Sequence, residues 1–464
     1  MHPLVHATLA SVNPYASPHI DAGDTAWLLA CAALVMLMTP GLALFYAGMV
    51  RSKHVLGMLM QNYIAMGIVS VLWVLFTFSL AFDKGRGPSG NAFIGGLHFA
   101  LLKHPDSGVP GYASLSIPLY VFVAFQMMFA IITPAIIVGA TADRWRFGAF
   151  VAFVALWGIV DYAVVAHWVF DPYGWLATRG VEDFAGGTVV ETNAGAAGLA
   201  MCLILGRRKG WPKEQMRPHN VPFVLLGAGL LWFGWLGFNA GSALTASGAA
   251  VPFLNTNTAA AAAMLGWSLV ERLRDGHATT LGAGSGAVAG LVAITPSCAF
   301  VSPSGAMAIG LLAGAVCSWA TRLKFRWGFD DSLDVVAVHL LGGVIGTLAL
   351  GFVGNAHYRG VNGLFYGGSG HLLFVQTEAV VGVTAYAFVV TFALGTVIRL
   401  LSPGRTSALS EAEQEAGMDM VLHGETAYEM GSIHSGGLAL AGIGAPPPQH
   451  PSGPPGARPP TGER

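Results

Sequence analysis

The chain is short of charge. Of its 464 residues only 10% are Asp, Glu, Lys or Arg, against about 25% in an ordinary soluble domain. A soluble globule of this length cannot cover its surface with so few charges, which excludes an ordinary cytosolic enzyme. The two signs nearly cancel, 23 basic residues against 24 acidic. No strong field therefore points at acidic or basic partners, and nucleic-acid binding as the main task is excluded. Cysteine is scarce: Cys31, Cys202, Cys298 and Cys317 are scattered, with no C-x-x-C spacing. They read as small buried hydrophobes. The alternating pattern of a β-barrel is missing too, and helices are the other way to satisfy a backbone in lipid.

What is abundant is apolar surface and glycine. Hydrophobic residues make up 54% of the chain and glycine contributes 62 residues, a composition that suits tightly packed membrane helices. A helix needs about 20 mostly apolar residues to cross the hydrocarbon core. Eleven such runs are read, near 25–49, 55–82, 113–139, 148–170, 186–205, 220–242, 249–271, 279–298, 304–321, 333–353 and 375–401. The fold class expected is an all-α polytopic membrane protein.

Lys and Arg orient it. The loops after the first, third, fifth, seventh and ninth runs hold 14 of them, and the opposite loops hold 5. By the positive-inside bias the N-terminus lies outside and the C-terminus inside. Residues 1–20 lack a basic stretch followed by a continuous apolar one, so no standard signal peptide is expected. The chain divides into an extracytoplasmic segment (1–24), the eleven-helix body (25–401), a polar, acidic segment (402–430) and a tail (431–464). Residues 446–460 hold 8 prolines, and a disordered, polyproline-like and inert end is expected.

Ionisable groups at bilayer depth are costly and mark function by default. Glu191 lies mid-way along the fifth run and His339 in the tenth. Asp183 precedes Glu191 by eight residues, and Asp331 precedes His339 by eight. Eight helical residues rise about 12 Å, close to half the hydrocarbon thickness. Each acid then sits near a face and each buried group near the midplane. Because the two runs enter from opposite sides, runs 1–5 and 6–10 read as inverted repeats. The consequence is a Glu191–His339 pair at the centre, able to pass a proton or to steady a transiting cation, or simply to tie two helices together. Asp161 and His167 in the fourth run are weaker candidates: His167 is near an interface, and Asp161 could bond neighbouring backbone. Glu378 lies near the start of the eleventh run.

Phe125 and Phe129 stand at i and i+4 on one helix face. Trp232 to Ser242 alternates aromatics with small residues and finishes at a hydroxyl. An aromatic face plus Ser242 could hold a cation, although an interfacial aromatic belt explains the same pattern.

These stretches together resemble the Amt/Mep/Rh family of ammonium transporters, in its Amt/Mep branch. The resemblance is carried by Asp183–Val190, Gly234–Ser242, Asp330–Asp334 with His339, Phe45–Lys53, and Gly417–Asp419 with His423–Tyr428. It covers about 25–430. It implies a homotrimer in the cell membrane, in contact with lipid, with one pore per eleven-helix subunit. It implies an outer ammonium site built from Phe125, Phe129, Trp235 and Ser242, with Asp183 ordering the site without touching substrate. Phe129 and Phe238 match the stacked gate and Thr295 a lining hydroxyl. A Trp often stands in the family where Phe170 sits here. The family usually has two pore histidines; His339 matches the second, and Glu191 stands at the first. Some fungal members resemble this Glu–His arrangement.

The function expected is ammonium transport: recruitment outside, deprotonation, passage of ammonia through an apolar pore, and proton relay by Glu191 and His339. The segment 402–430 resembles a regulatory element, and in bacterial relatives a trimeric nitrogen-signalling protein docks on that side. Two rivals are an ammonium sensor with slight transport, which no appended kinase or cyclase domain supports, and a neutral-gas channel like the Rh branch. No cofactor or metal is expected. Nor is an enzyme, since no nucleophile–base or metal-ligand spacing appears.

Overall fold

A computed structural model of the chain describes residues 19–85, 90–104, 107–109, 111–112 and 115–428. The proline-rich stretch and most of the N-terminal segment lie outside the described residues.

Each of the eleven apolar runs folds as a helix. They are α1 (Ala22–Met49), α2 (Val55–Leu72, continuing to Phe82), α3 (Leu119–Ala140), α4 (Phe147–Trp157, continuing to Phe170) and α5 (Asn193–Leu205, preceded by the π segment Gly187–Thr192). Then follow α6 (Val221–Gly241), α7 (Ala250–Asp275), α8 (Thr280–Ile294), α9 (Pro303–Ala320), α10 (Leu341–Val353, preceded by the π segment Val336–Leu340) and α11 (His371–Leu401). Among the described residues nine are long and apolar enough to cross a membrane. The other two are α7, which is alanine-rich and carries Asn255, Thr256, Asn257 and Thr258, and α8, with 15 residues.

Helix ends follow local chemistry more closely than hydropathy does. The third run was expected from residue 113, but α3 starts after Pro118, whose ψ of 146° is extended. The eighth was expected to reach residue 298, but α8 stops at Ile294, because Pro296 has no N–H to continue the ladder. The eleventh begins four residues early, at His371.

Small residues set how closely helices cross, since lipid supplies no hydrophobic drive between them. A Cβ on Gly227 of α6 would lie 2.3 Å from the Phe45 nitrogen of α1. A Cβ on Gly195 of α5 would lie 2.3 Å from the Leu340 nitrogen, and one on Gly343 of α10 would lie 2.8 Å from the Gly187 carbonyl. α5 and α10 therefore touch backbone to backbone.

The basic loops meet in an ion network at one end of the bundle. Arg208 donates to both oxygens of Asp330, at 3.0 and 2.8 Å, and its own backbone N–H adds a third bond at 2.8 Å. Burial alone would push the Asp330 carboxyl up; the Arg208 guanidinium and the buried Arg144 nevertheless hold it below its ordinary value. The segment after α11 docks on this end. Its short helix α12 (Glu411–Ala416) opens with a Ser410–Glu413 capping box. Glu413 accepts both arms of Arg146, at 3.1 and 2.8 Å, and Asp419 accepts the Gly57 N–H at 2.8 Å.

Candidate functional site

The site is organised by two capped helix starts. Gly186, at φ 103°, turns the chain into α5, a conformation glycine adopts without steric cost. Asp183 then accepts the backbone N–H groups of Gly186, Gly187 and Thr188 at 2.8, 2.7 and 2.7 Å, and the Thr188 hydroxyl at 2.5 Å. At α10, Asp331 accepts the N–H groups of Val335 and Val336 at 3.1 and 2.8 Å. Each cap satisfies donors that a helix start leaves open.

Eight residues beyond each cap the two helices bring their buried groups together. The Glu191 carboxyl and His339 Nδ1 lie 2.6 Å apart, with Glu191 0% and His339 4% exposed. The second carboxyl oxygen, Oε1, has no partner. Around the pair lies a chamber of about 10 Å³, lined by Met38, Leu42, Ile132, Ile136, Leu231 and Val288 with Trp235 and Phe238. That is room for about one water-sized molecule.

Phe238 of the chamber lining belongs to a stacked aromatic pair. The rings of Phe129 and Phe238 lie 4.1 Å apart and 16° from parallel. Beyond them opens a vestibule of about 330 Å³, whose lining includes Phe122, Gln126, Phe170, Asp183, Ser242 and Arg359. The Ser242 hydroxyl donates to the Phe238 carbonyl at 2.9 Å, so its lone pairs are what it offers. The Asp183 oxygens are taken up by the α5 cap.

Not every residue of the expected outer site reaches the vestibule. Trp235 lines the chamber, on the inner side of the stack, and its Nε1 donates to Thr295 Oγ1 at 2.7 Å. The Thr295 hydroxyl in turn donates to the Leu291 carbonyl at 2.8 Å, so it is committed to the protein. Phe125 is fully buried, edge-on to Phe129 at 4.9 Å. Phe125, Trp235 and Phe129 itself all stand off the vestibule lining, with Phe125 packed on Phe129 and Trp235 on Phe238. Phe170 takes the open position instead, edge-on to Phe129 at 6.3 Å. Gln126 and Arg359 were missed: a single polar residue beside aromatics, and an Arg in a distant loop, carry no sequence signal.

The other membrane-depth candidates stand apart. His167 bonds the carbonyls of Ala81 and Asn91, at 2.9 and 2.6 Å. Glu378 pairs with Arg179 at 2.6 Å. Asp161 does not bond neighbouring backbone; the group beside its carboxyl is the Asn193 side-chain amide.

The comparisons with known proteins bear on the family and the fold. The Ammonium Transporter Family model matches residues 26–428. An ammonium transporter of Mycobacterium tuberculosis is 49% identical over 445 residues, covering 90% of this chain and 92% of that protein. The crystal structure of Candida albicans Mep2 superposes with a TM-score of 0.79 at 32% identity, over 85% of this chain and 88% of that one. A structure described as a sensor Amt protein superposes with a TM-score of 0.77 at 29% identity, over 86% and 97%. The chain is a multi-pass protein of the cell membrane and belongs to the ammonium transporter family.

Proposed function

We propose that the protein moves ammonium into the cell by separating it into ammonia and a proton, and that Glu191 and His339 carry the proton. The reading takes all eleven helices as spans, with the vestibule outside, the basic loops and residues 402–430 inside, and three copies per assembly.

Ammonium and potassium are alike in size and charge, and differ in that ammonium donates hydrogen bonds and can lose a proton. The vestibule uses the first difference. With its proton given to Phe238, the Ser242 hydroxyl accepts from ammonium, and the Phe170 and Phe122 faces attract the charge. The chamber uses the second. A stripped ion among Met38, Ile132 and Val288 has lost its hydration without replacement, whereas a neutral molecule the size of water fits. Glu191 Oε1, buried and without a partner, is the acceptor for the proton that ammonium sheds at the gate. The 2.6 Å contact hands it across to His339 on the α10 side, from which it returns to the ammonia that has crossed. The two groups titrate as a unit, and net charge moves with each cycle.

The observation that carries this reading is the Glu191–His339 contact inside a chamber with room for about one small molecule. The test is ammonium-evoked current on supported membranes carrying the reconstituted protein. Glu191→Ala abolishes the current if the pair carries the proton, and an unchanged current overturns the proposal. A sensor reading, suggested by the likeness to the sensor Amt protein, predicts little current in the wild type itself.

A further inference from the structure

A second carboxyl is buried at membrane depth, and the transport reading gives it no task. Asp161 sits in the π segment Gly158–Tyr162 of α4 and is 0% exposed. The polar group beside it is the side-chain amide of Asn193, the first residue of α5. Asn193 Nδ2 donates to the Val189 carbonyl at 3.2 Å, and its Oδ1 has no partner. Among the described residues no side chain other than the Asn193 amide stands within hydrogen-bonding reach of the buried Asp161 carboxyl, and the amide oxygen is itself unpaired. A bare carboxylate would add a charge with no counter-charge, the most expensive arrangement available there. A carboxylic acid pairs its O–H with Asn193 Oδ1 and leaves no charge behind.

The location gives that bond a purpose. Asn193 follows Glu191 by two residues, and side chains two apart on a helix point to different sides. Glu191 faces the chamber while Asn193 faces α4. The stretch of α4 around Asp161 is already fastened to α11, by Tyr386 donating to the Val160 carbonyl at 2.7 Å and by Trp157 donating to Thr391 at 2.9 Å. Asp161 is thus a group on a fixed wall, beside the back of the turn that carries Glu191.

We propose that Asp161 is a positioning residue: as a neutral acid it donates to Asn193 and braces the π segment that aims Glu191 at His339. This rests on the reading of Glu191 as proton carrier.

The experiment measures ammonium-evoked current, normalised to reconstituted protein, for Asp161→Asn, Asp161→Leu, Asn193→Leu and the Asp161→Leu/Asn193→Leu double variant. Asp161→Asn keeps a donor for Asn193 and retains the wild-type pH profile and most of the current. Asp161→Leu lowers the maximal current on the order of tenfold, as expected for a lost interaction with a poised group, and leaves KM unchanged because the vestibule is intact. Asn193→Leu does the same, and the double variant is no worse than either single one. A wild-type current for Asp161→Leu overturns the proposal, and so does an Asp161→Asn variant as impaired as Asp161→Leu, since ionisation would then matter. If the leucine variants do not fold, infrared difference spectra decide. A protonated-carboxyl band present in the wild type is lost in Asp161→Asn; the same band in both overturns the proposal. Glu191→Gln measured in parallel separates the two readings: an unchanged current there removes the proton-carrier reading, whatever the Asp161 series shows.

Discussion

Asp183 and Asp331 do the same job at the starts of two different helices. Each receives the open N–H groups of a π segment, and each stands eight residues ahead of one member of the buried pair. The caps fix where α5 and α10 begin, and so fix the depth at which Glu191 and His339 meet. Asp183→Ala leaves the N–H groups of Gly186, Gly187 and Thr188 open. Loss of a cap costs about 0.5–2 kcal/mol, and the orphaned donors take this case to the upper end. A lower unfolding temperature in detergent and loss of current are expected, with Asp183→Asn intermediate. A wild-type melt for Asp183→Ala would contradict the assignment.

Two neighbouring acids give stability opposite pH dependences. Burial raises the Asp331 carboxyl from 3.8 to about 6, with Asp334 adding to the rise and Lys324 opposing it. The folded protein then holds a proton that the unfolded chain releases, so stability falls as pH rises between those values. Asp330 is held below its ordinary value, so the stability it adds is present above the usual carboxylate range and is lost as pH falls through its folded value. Asp331→Asn is expected to flatten the fall in unfolding temperature between pH 4 and pH 6 while leaving the loss at lower pH in place. Thermal melts across that range check the sign.

Ser242→Ala removes the hydroxyl acceptor of the vestibule without touching the chamber. A hydrogen bond to a charged group is worth about 1.5–3 kcal/mol, so KM for ammonium should rise at least tenfold while the maximal current changes little. Concentration series of evoked current separate the two effects.

Glu191→His replaces the carboxylate with a second imidazole. A carboxylate makes the chamber more tolerant of a cation, so this variant is expected to shift the pH optimum of transport or to reduce potassium leak. Paired ammonium and potassium currents between pH 5 and pH 8 are the check. If neither changes, the choice of Glu at this position has no functional effect.

The docked segment depends on Arg146 and Glu413. Hydrogen bonds from the Ser410 backbone and side chain, followed by the Arg146 contact, hold the Glu413 carboxyl below its ordinary value. Arg146→Glu should release α12, seen as faster proteolysis after residue 402, and Arg146→Glu with Glu413→Arg should slow it again. The pair is partly exposed, so high salt should mimic a mild form of the single variant.

Some of this was legible in the chain and some was not. Low charge and long apolar runs give a membrane helix wherever they occur, because lipid leaves the backbone no other partner. The eight-residue spacings from Asp183 to Glu191 and from Asp331 to His339 are likewise properties of the sequence. Helix ends at Leu119 and Ile294 were less readable, since a proline, not hydropathy, sets them.

The outer aromatic set divided on folding. Phe125, Phe129, Trp235 and Phe238 carry the same signal in sequence, yet only the way α3 and α6 meet decides which two rings stack and which pack against them. Phe170 enters from α4, where nothing local marks it. Ser242 is likewise just a hydroxyl at a helix end until its bond to Phe238 takes up its proton and leaves its lone pairs open. The sequence by itself determined the class of protein, its helices and the equal spacing of Glu191 and His339 from their capping acids, because these depend on transfer from water and on helical rise. The tertiary structure alone decided that Glu191 meets His339 at 2.6 Å and that Asp161 faces the Asn193 amide. Those facts depend on two backbones touching at Gly195 and Gly343, a distance that only the packed bundle can set.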